Sequence, residues 1–140
     1  MLKILSVICL LPLLSSCNST HYTPKNYKAT QLIIGSTGGV TGMIKEITLL
    51  GNGQCFMSKG VTGELKELKE IRSSDTHKIF KKAEELELSS IKFNHPGNMT
   101  YYLILKTPPK SNVVKWGESG ISIPPDIKEF YDYLLSVFKP

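Results

Sequence analysis

Arginine is almost missing from this chain of 140 residues. Arg72 is the only one among 17 basic side chains, set against 12 acidic ones for a formal net charge of +5. Nucleic-acid surfaces cluster Arg with Lys and interleave aromatic residues. Here the densest basic cluster, Lys78-Lys81-Lys82, is followed at once by Glu84-Glu85-Glu87. That pattern is a solvated helix face with i,i+3 and i,i+4 pairing, so no nucleic-acid partner is expected. Long apolar runs are also lacking. The longest, Ile4 to Leu14, is eleven residues broken by Ser6 and Pro12, and a spanning helix needs about 20. The three histidines, His21, His77 and His95, have no His-x-x-x-His spacing and no acidic neighbours in a ligand pattern. A zinc site needs three or four converging ligands, so no metal is expected. There is no Gly-x-Ser-x-Gly element. Asp75, Asp126 and Asp132 fall at helix starts or exposed helix positions, where capping and dipole matching account for the first two. No catalytic residue and no cofactor follow from these patterns, and the chain reads as a non-enzyme.

What is present begins at the N-terminus. Lys3 gives a positive start, and the apolar run has the roughly 7–15-residue length of a signal-peptide core. Leu14-Ser15-Ser16-Cys17 closes it. This resembles a bacterial lipoprotein signal with Leu14 to Cys17 as the lipobox. The resemblance implies cleavage before Cys17, lipidation of Cys17 (palmitate among the acyl groups) and attachment to a membrane through that lipid. More than one acyl chain suffices for stable anchoring, at about 0.8 kcal/mol per buried CH2. Asn18, not Asp, follows Cys17, and by resemblance to enterobacterial sorting this implies the outer membrane of the cell envelope.

Three segments are therefore expected: residues 1–16 as signal peptide, 17–28 as tether, and 29–140 as one domain. Removing the leader takes away Lys3 and lowers the net charge from +5 to +4. The leader also removes Cys9, and Cys17 carries lipid. Cys55 alone is left, so no intramolecular disulfide can form and the core must hold the fold. Within Gln54-Cys55-Phe56-Met57, Cys55 is expected to be a small buried hydrophobe.

Along the domain, Ala29–Ser36 is expected as a first strand and Met43–Leu50 as a second. In the second strand we expect Ile47 and Leu49 on one face and Lys45 opposite. Gly51-Asn52-Gly53 is a hairpin signal, because Asn and Gly tolerate positive φ. Gln54–Lys59 returns as a third strand, and Glu64–Arg72 holds a short fourth. Ser73-Ser74-Asp75 supplies N-cap candidates for a helix to about Leu86. Its apolar face is Ile79, Phe80, Ala83 and Leu86. Asn94 to Asn98 is a turn cluster, Tyr101–Lys106 a strand, and Asn112–Trp116 its partner. Pro124-Pro125-Asp126 opens a last helix with an apolar stripe of Ile127, Phe130, Tyr131, Leu134, Leu135 and Phe138. The expected class is α+β: an antiparallel sheet of about five to six strands with two amphipathic helices packed on one face.

Gly35-Ser36-Thr37-Gly38-Gly39-Val40-Thr41-Gly42 lacks the Gly-Lys-Ser/Thr ending of a phosphate loop and leads into a strand. It is either a tightly turned hairpin loop or a binding edge. Gly38, Gly39 and Gly42 are the candidate partner-binding residues, since glycine lets a partner approach the backbone closely. Of Tyr101 and Tyr102, alternation turns one to the core and the other outward. An outward Tyr near Asn98 or Trp116 is a candidate anchor for a protein partner.

From Thr30 to Phe138 the chain resembles small lipoproteins of Bacteroidetes-type bacteria. The residues carrying this are Gly38-Gly39-Val40-Thr41-Gly42, Gly51-Asn52-Gly53, Phe93-Asn94-His95-Pro96-Gly97-Asn98, Lys115-Trp116-Gly117 and the Pro-initiated final helix. The Gly-Gly-x-x-Gly start, two-helix layout and length are also similar to emfourin-like proteins, a family that includes inhibitors of thermolysin-like metallopeptidases. The Arg that precedes the glycine pair in that family is replaced here by Ser36-Thr37. The first resemblance implies an envelope lipoprotein, and a folded domain, a tether and an exposed edge lead us to expect a surface-tethered binding module; the second resemblance implies a protease inhibitor.

Overall fold

The computed structural model describes residues 20–60 and 63–138. The leader and Cys17 lie outside the described residues. The elements run β1 (Gln31–Gly38), β2 (Lys45–Leu50), β3 (Cys55–Lys59), β4 (Glu64–Glu67), α1 (Ser73–Glu85), β5 (Met99–Thr107), β6 (Lys110–Trp116) and α2 (Pro125–Val137). The six strands form one antiparallel sheet in the order β4-β3-β2-β1-β5-β6. With two helices, the fold is α+β.

Each strand begins or ends where backbone chemistry demands it. At the β2–β3 turn, Gly53 has φ +99° and donates its N–H to the Leu50 carbonyl at 3.0 Å. Asn52 Oδ1 accepts the Gln54 N–H at 3.1 Å, an Asx-type clamp on the same turn. β1 extends two residues beyond the expected Ser36, because Thr37 and Gly38 still pair with Thr100 and Met99 of β5.

Alternation sorts the strands into two faces. Leu32, Ile34, Ile47, Leu49, Cys55, Leu103, Leu105, Val114 and Trp116 share one face. They join one hydrophobic cluster with Ile79 and Ala83 of α1 and Ile127, Phe130, Tyr131 and Leu134 of α2. Each fully buried Leu or Ile contributes about 1.5–3 kcal/mol over exposure, and no described disulfide supplements them. Lys45 also belongs to this face. The expectation that it points away from Ile47 and Leu49 is wrong, because positions 45, 47 and 49 have the same parity on a strand. Glu46 and Thr48 face the other way.

The other face is covered as well. Gln31, Ile33, Thr48, Leu50, Phe56 and Tyr102 are buried there. The chain before β1 lies against part of it. The Tyr22 N–H donates to Gln54 Oε1 at 3.2 Å, and Gln31 Nε2 donates to the carbonyls of Pro24 and Tyr27, both at 3.0 Å.

Both helix starts use backbone geometry. Arg72, not Ser73–Asp75, is the N-cap of α1, in an extended conformation with no side-chain cap bond. Asp75 lies within the first turn, and its carboxylate meets the Arg72 guanidinium at 2.8 Å. Its negative charge still matches the helix dipole. Proline at the first position of α2 supplies the φ a helix start needs. Leu135, expected in the buried stripe of α2, is exposed.

The sheet edges differ. All four residues of β4, Glu-Leu-Lys-Glu, are exposed; alternating charge discourages pairing with another chain. The β6 edge is occupied by Phe93–His95: the Lys115 N–H donates to Phe93 and the His95 N–H to Lys115.

Candidate functional site

Antiparallel pairing collects the β1–β2 hairpin, the β3–β4 turn and the start of β5 at one end of the sheet. The chain enters at the opposite end, where His21 approaches Gln54 and Glu67. The hairpin is fixed at its base and open at its apex. The Gly39 N–H donates to the Asn98 carbonyl at 2.9 Å, and the Gly42 N–H donates to Gly39 at 3.2 Å, closing a turn over Val40 and Thr41. Gly38 is required at the base. Its φ is +115°, and a Cβ there would sit 2.0 Å from the Asn98 carbonyl oxygen. Gly42, with φ +58°, faces open space. Of the expected loop glycines, then, Gly38 and Gly39 anchor the hairpin to β5, and Gly42 shapes its outer turn.

Exposed apolar side chains gather at this end. Val40 at the apex is fully exposed, and Met43 and Ile44 follow it exposed on the returning chain. Met99, Tyr101 and Leu135 are exposed on the α2 side of this end, while the exposed Leu65 lies on the opposite face of the sheet. Contiguous exposed apolar patches mark interaction sites, whereas isolated apolar residues need no explanation. Tyr101 stacks on Trp116 at 6.0 Å between ring centroids, and Tyr131 meets Trp116 edge-on at 4.9 Å. Tyr101 is thus the one turned to the helix-covered face, but at its margin, where it stays exposed. Tyr102 is buried on the other face, lying over Gly35 with its hydroxyl donating to Glu46 Oε2 at 2.9 Å.

The titratable groups with shifted behaviour are all pushed toward inertness. Burial raises the Cys55 thiol to about 12, so it is neutral and unreactive at physiological pH. Burial, with Tyr101 and Asp132 nearby, raises Tyr131 to about 12. Burial and the Glu46 carboxylate push Tyr102 well above its ordinary value. His95 Nδ1 lies 3.0 Å from Glu118 Oε2, both half-exposed on the surface. His21 meets Glu67 at 3.6 Å, also on the surface. Among the described residues, no three His, Cys, Asp or Glu side chains converge on a metal-sized site. What this end of the molecule offers chemically is an apolar contact surface with nearby ammonium groups.

No family model matches this chain, and no curated protein is significantly similar to it. Among the described residues no helix is long and apolar enough to cross a membrane.

Sequence reasoning singled out the glycines but missed the residues around them. Met43, Met99 and Leu135 come from three separate segments, and only strand order and the placement of α2 bring them to this end. One signal was available: the parity of Lys45, Ile47 and Leu49 already puts the lysine on the apolar face.

Proposed function

We propose that this protein is a lipid-anchored binding module of the bacterial envelope, probing for a protein partner with the hairpin end of its sheet. The observation that carries this is the exposure of Val40, Met43, Ile44, Met99, Tyr101 and Leu135 at the hairpin end of the sheet. Exposed apolar surface of this kind costs solubility unless a partner covers it. In this reading two amphipathic helices pack on one face of the sheet and leave its hairpin end free.

The position of the hairpin fits an anchored domain. Cys17 is four residues before His21, a distance of at most about 14 Å even when extended. His21 is at the end where the chain enters. β1, with eight residues, carries the chain roughly 27 Å to the other end. In this reading a lipid on Cys17 stays closer to the chain-entry end than to the Val40 apex, which leaves the apex to meet a partner away from the anchoring membrane.

A photo-crosslinking residue at Val40 tests this in the envelope. A discrete protein adduct from position 40, absent from position 110 at the opposite end, is the expected result. Equal labelling from both positions, or none from position 40, would refute it.

The exposed apex also favours a second reading, inhibition of a thermolysin-like metallopeptidase in the emfourin manner. A narrow turn with an apolar tip suits insertion into a cleft. Stoichiometric loss of peptidase activity on titration would support this reading; full activity at large molar excess would eliminate it.

A further inference from the structure

Beside the hairpin lies a groove that shares Tyr101 and Leu135 with the apolar surface but does not include the Val40 apex. It encloses about 470 Å³, within the range of small-molecule sites. Its floor is Ile34, Ile47 and Met57 of the three adjacent strands β1, β2 and β3, and Tyr131 and Leu135 of α2, with Phe138 just after the helix, form its wall. Lys45 and Lys59 also border it. They are direct cross-strand partners in the β2–β3 register, and alternation puts them on the face of Ile47 and Met57.

Two like charges directly opposite each other destabilise a strand pair. Among the described residues, neither ammonium has a carboxylate at ion-pair distance. Glu64 is opposite Lys59 in β4 but makes no such pair, and Lys66 follows opposite Met57. With Glu46, which also lines the groove, these side chains sum to +1. Glu46 accepts the Tyr102 hydroxyl. The arrangement is an apolar trough with unneutralised positive charge at one end.

We propose that the groove binds a single-chain amphiphile with an anionic end, its tail over Ile34, Ile47 and Met57 and its head between Lys45 and Lys59. A peptide fits less well. Its backbone donors and acceptors would need partners on burial, and the strands beneath have already paired theirs. The Tyr131 hydroxyl is likewise used, donating to the Gly35 carbonyl at 3.1 Å. An acyl chain makes no such demand, and an anionic head relieves the Lys45–Lys59 repulsion.

The test is a calorimetric titration of the full chain carrying Cys17→Ala with dodecanoate below its micellar range. Dodecanol and dodecyltrimethylammonium serve as neutral and cationic controls. Saturable one-to-one binding of dodecanoate is expected, with weaker binding of the alcohol and none of the cation. Lys45→Gln with Lys59→Gln should weaken dodecanoate by about tenfold or more. Leu135→Trp and, separately, Met57→Trp should fill the groove and abolish binding, with circular dichroism confirming that at least one of them folds. Absence of saturable binding overturns the proposal, as does equal affinity for the cation or full binding in a folded groove-filled variant. The proposal does not rest on the partner reading, and the two fail separately.

Discussion

The Tyr102 ring lies across Gly35. The two are cross-strand partners between β5 and β1, and the Tyr102 hydroxyl reaches beyond the glycine to Glu46 on β2. One side chain thus ties three neighbouring strands, and it can do so only because position 35 has no side chain. A Cβ there would sit 2.4 Å from the ring. Gly35→Ala should push the ring off its path and cost about 1–3 kcal/mol, as overpacking does. Tyr102→Phe keeps the ring, loses one hydrogen bond and should cost about 1 kcal/mol. Urea unfolding midpoints measure both. A Gly35→Ala midpoint equal to that of the parent would show that the ring has room to move aside.

Asn112 performs a similar service for the segment after α1. Its Nδ2 donates to the Leu88 carbonyl at 2.7 Å and to the Ile91 carbonyl at 2.8 Å, and its Oδ1 accepts from Lys92 Nζ at 3.4 Å. Asn112→Ala leaves two carbonyls without a donor in a mostly buried place, for an expected loss of about 1–3 kcal/mol. Amide exchange should quicken most in residues 88–92. A uniform rise across the sheet instead would mean that Asn112 supports β6 itself and not the loop.

Alkaline pH should loosen the fold in a defined window. Cys55, ordinarily near 9.0, rises to about 12 in the folded protein, and Tyr131 rises from about 10 to about 12. Between those values the unfolded chain has lost protons that the folded chain keeps, so stability falls as pH rises. The contribution is complete below about pH 9 and gone above about pH 12. Cys55→Val should flatten the decline that begins near pH 9, while the decline above about pH 10 should persist through Tyr131 and Tyr102, both raised by burial. A urea midpoint recorded at half-unit pH steps decides this. No change in slope near pH 9 for Cys55→Val would remove Cys55 from the account.

Much of this architecture was legible because it depends on local chemistry. Gly51-Asn52-Gly53 predicts a hairpin by itself, and Pro125 with the spacing Ile127, Phe130, Tyr131, Leu134 predicts α2. The helix N-cap at Arg72 was not legible. Ser73 and Asp75 have the right chemistry for that position, and the helix begins one residue earlier in role than composition suggests. The hairpin end was half legible. Its glycines are visible in sequence, but Met99 and Leu135 reach it only through the β1–β5 pairing and the placement of α2, which no local pattern encodes. The burial of Tyr102, against the exposure of Tyr101, also needed the third dimension. Alternation separates the two residues; only Gly35 and Glu46 explain which one is covered.

Lipidation is testable without knowledge of any partner. Cys17→Ala should leave the chain uncleaved or without acyl mass, and mass spectrometry of the membrane fraction reads both. A parent protein that begins well beyond Cys17 and carries no acyl group would remove the proposed anchor.

The hairpin itself should separate binding from stability. Val40 and Ile44 are exposed, and the loop is held by backbone bonds: Gly39 to Asn98 at its base, and Gly60 donating to the Ile44 carbonyl at 2.9 Å. Changing only the exposed side chains leaves those bonds in place. Val40→Asp with Ile44→Asp should therefore shift stability by no more than about 0.5 kcal/mol per site. The same pair places two carboxylates in the apolar patch, where a partner would have to desolvate them. Crosslinked adduct from a neighbouring probe at Met43 should fall at least tenfold, as a loss of about 1.4 kcal/mol or more in affinity requires. An undiminished adduct with a folded double variant would mean that the partner, if it contacts this end, does so through Met99 and Tyr101 and not through the apex.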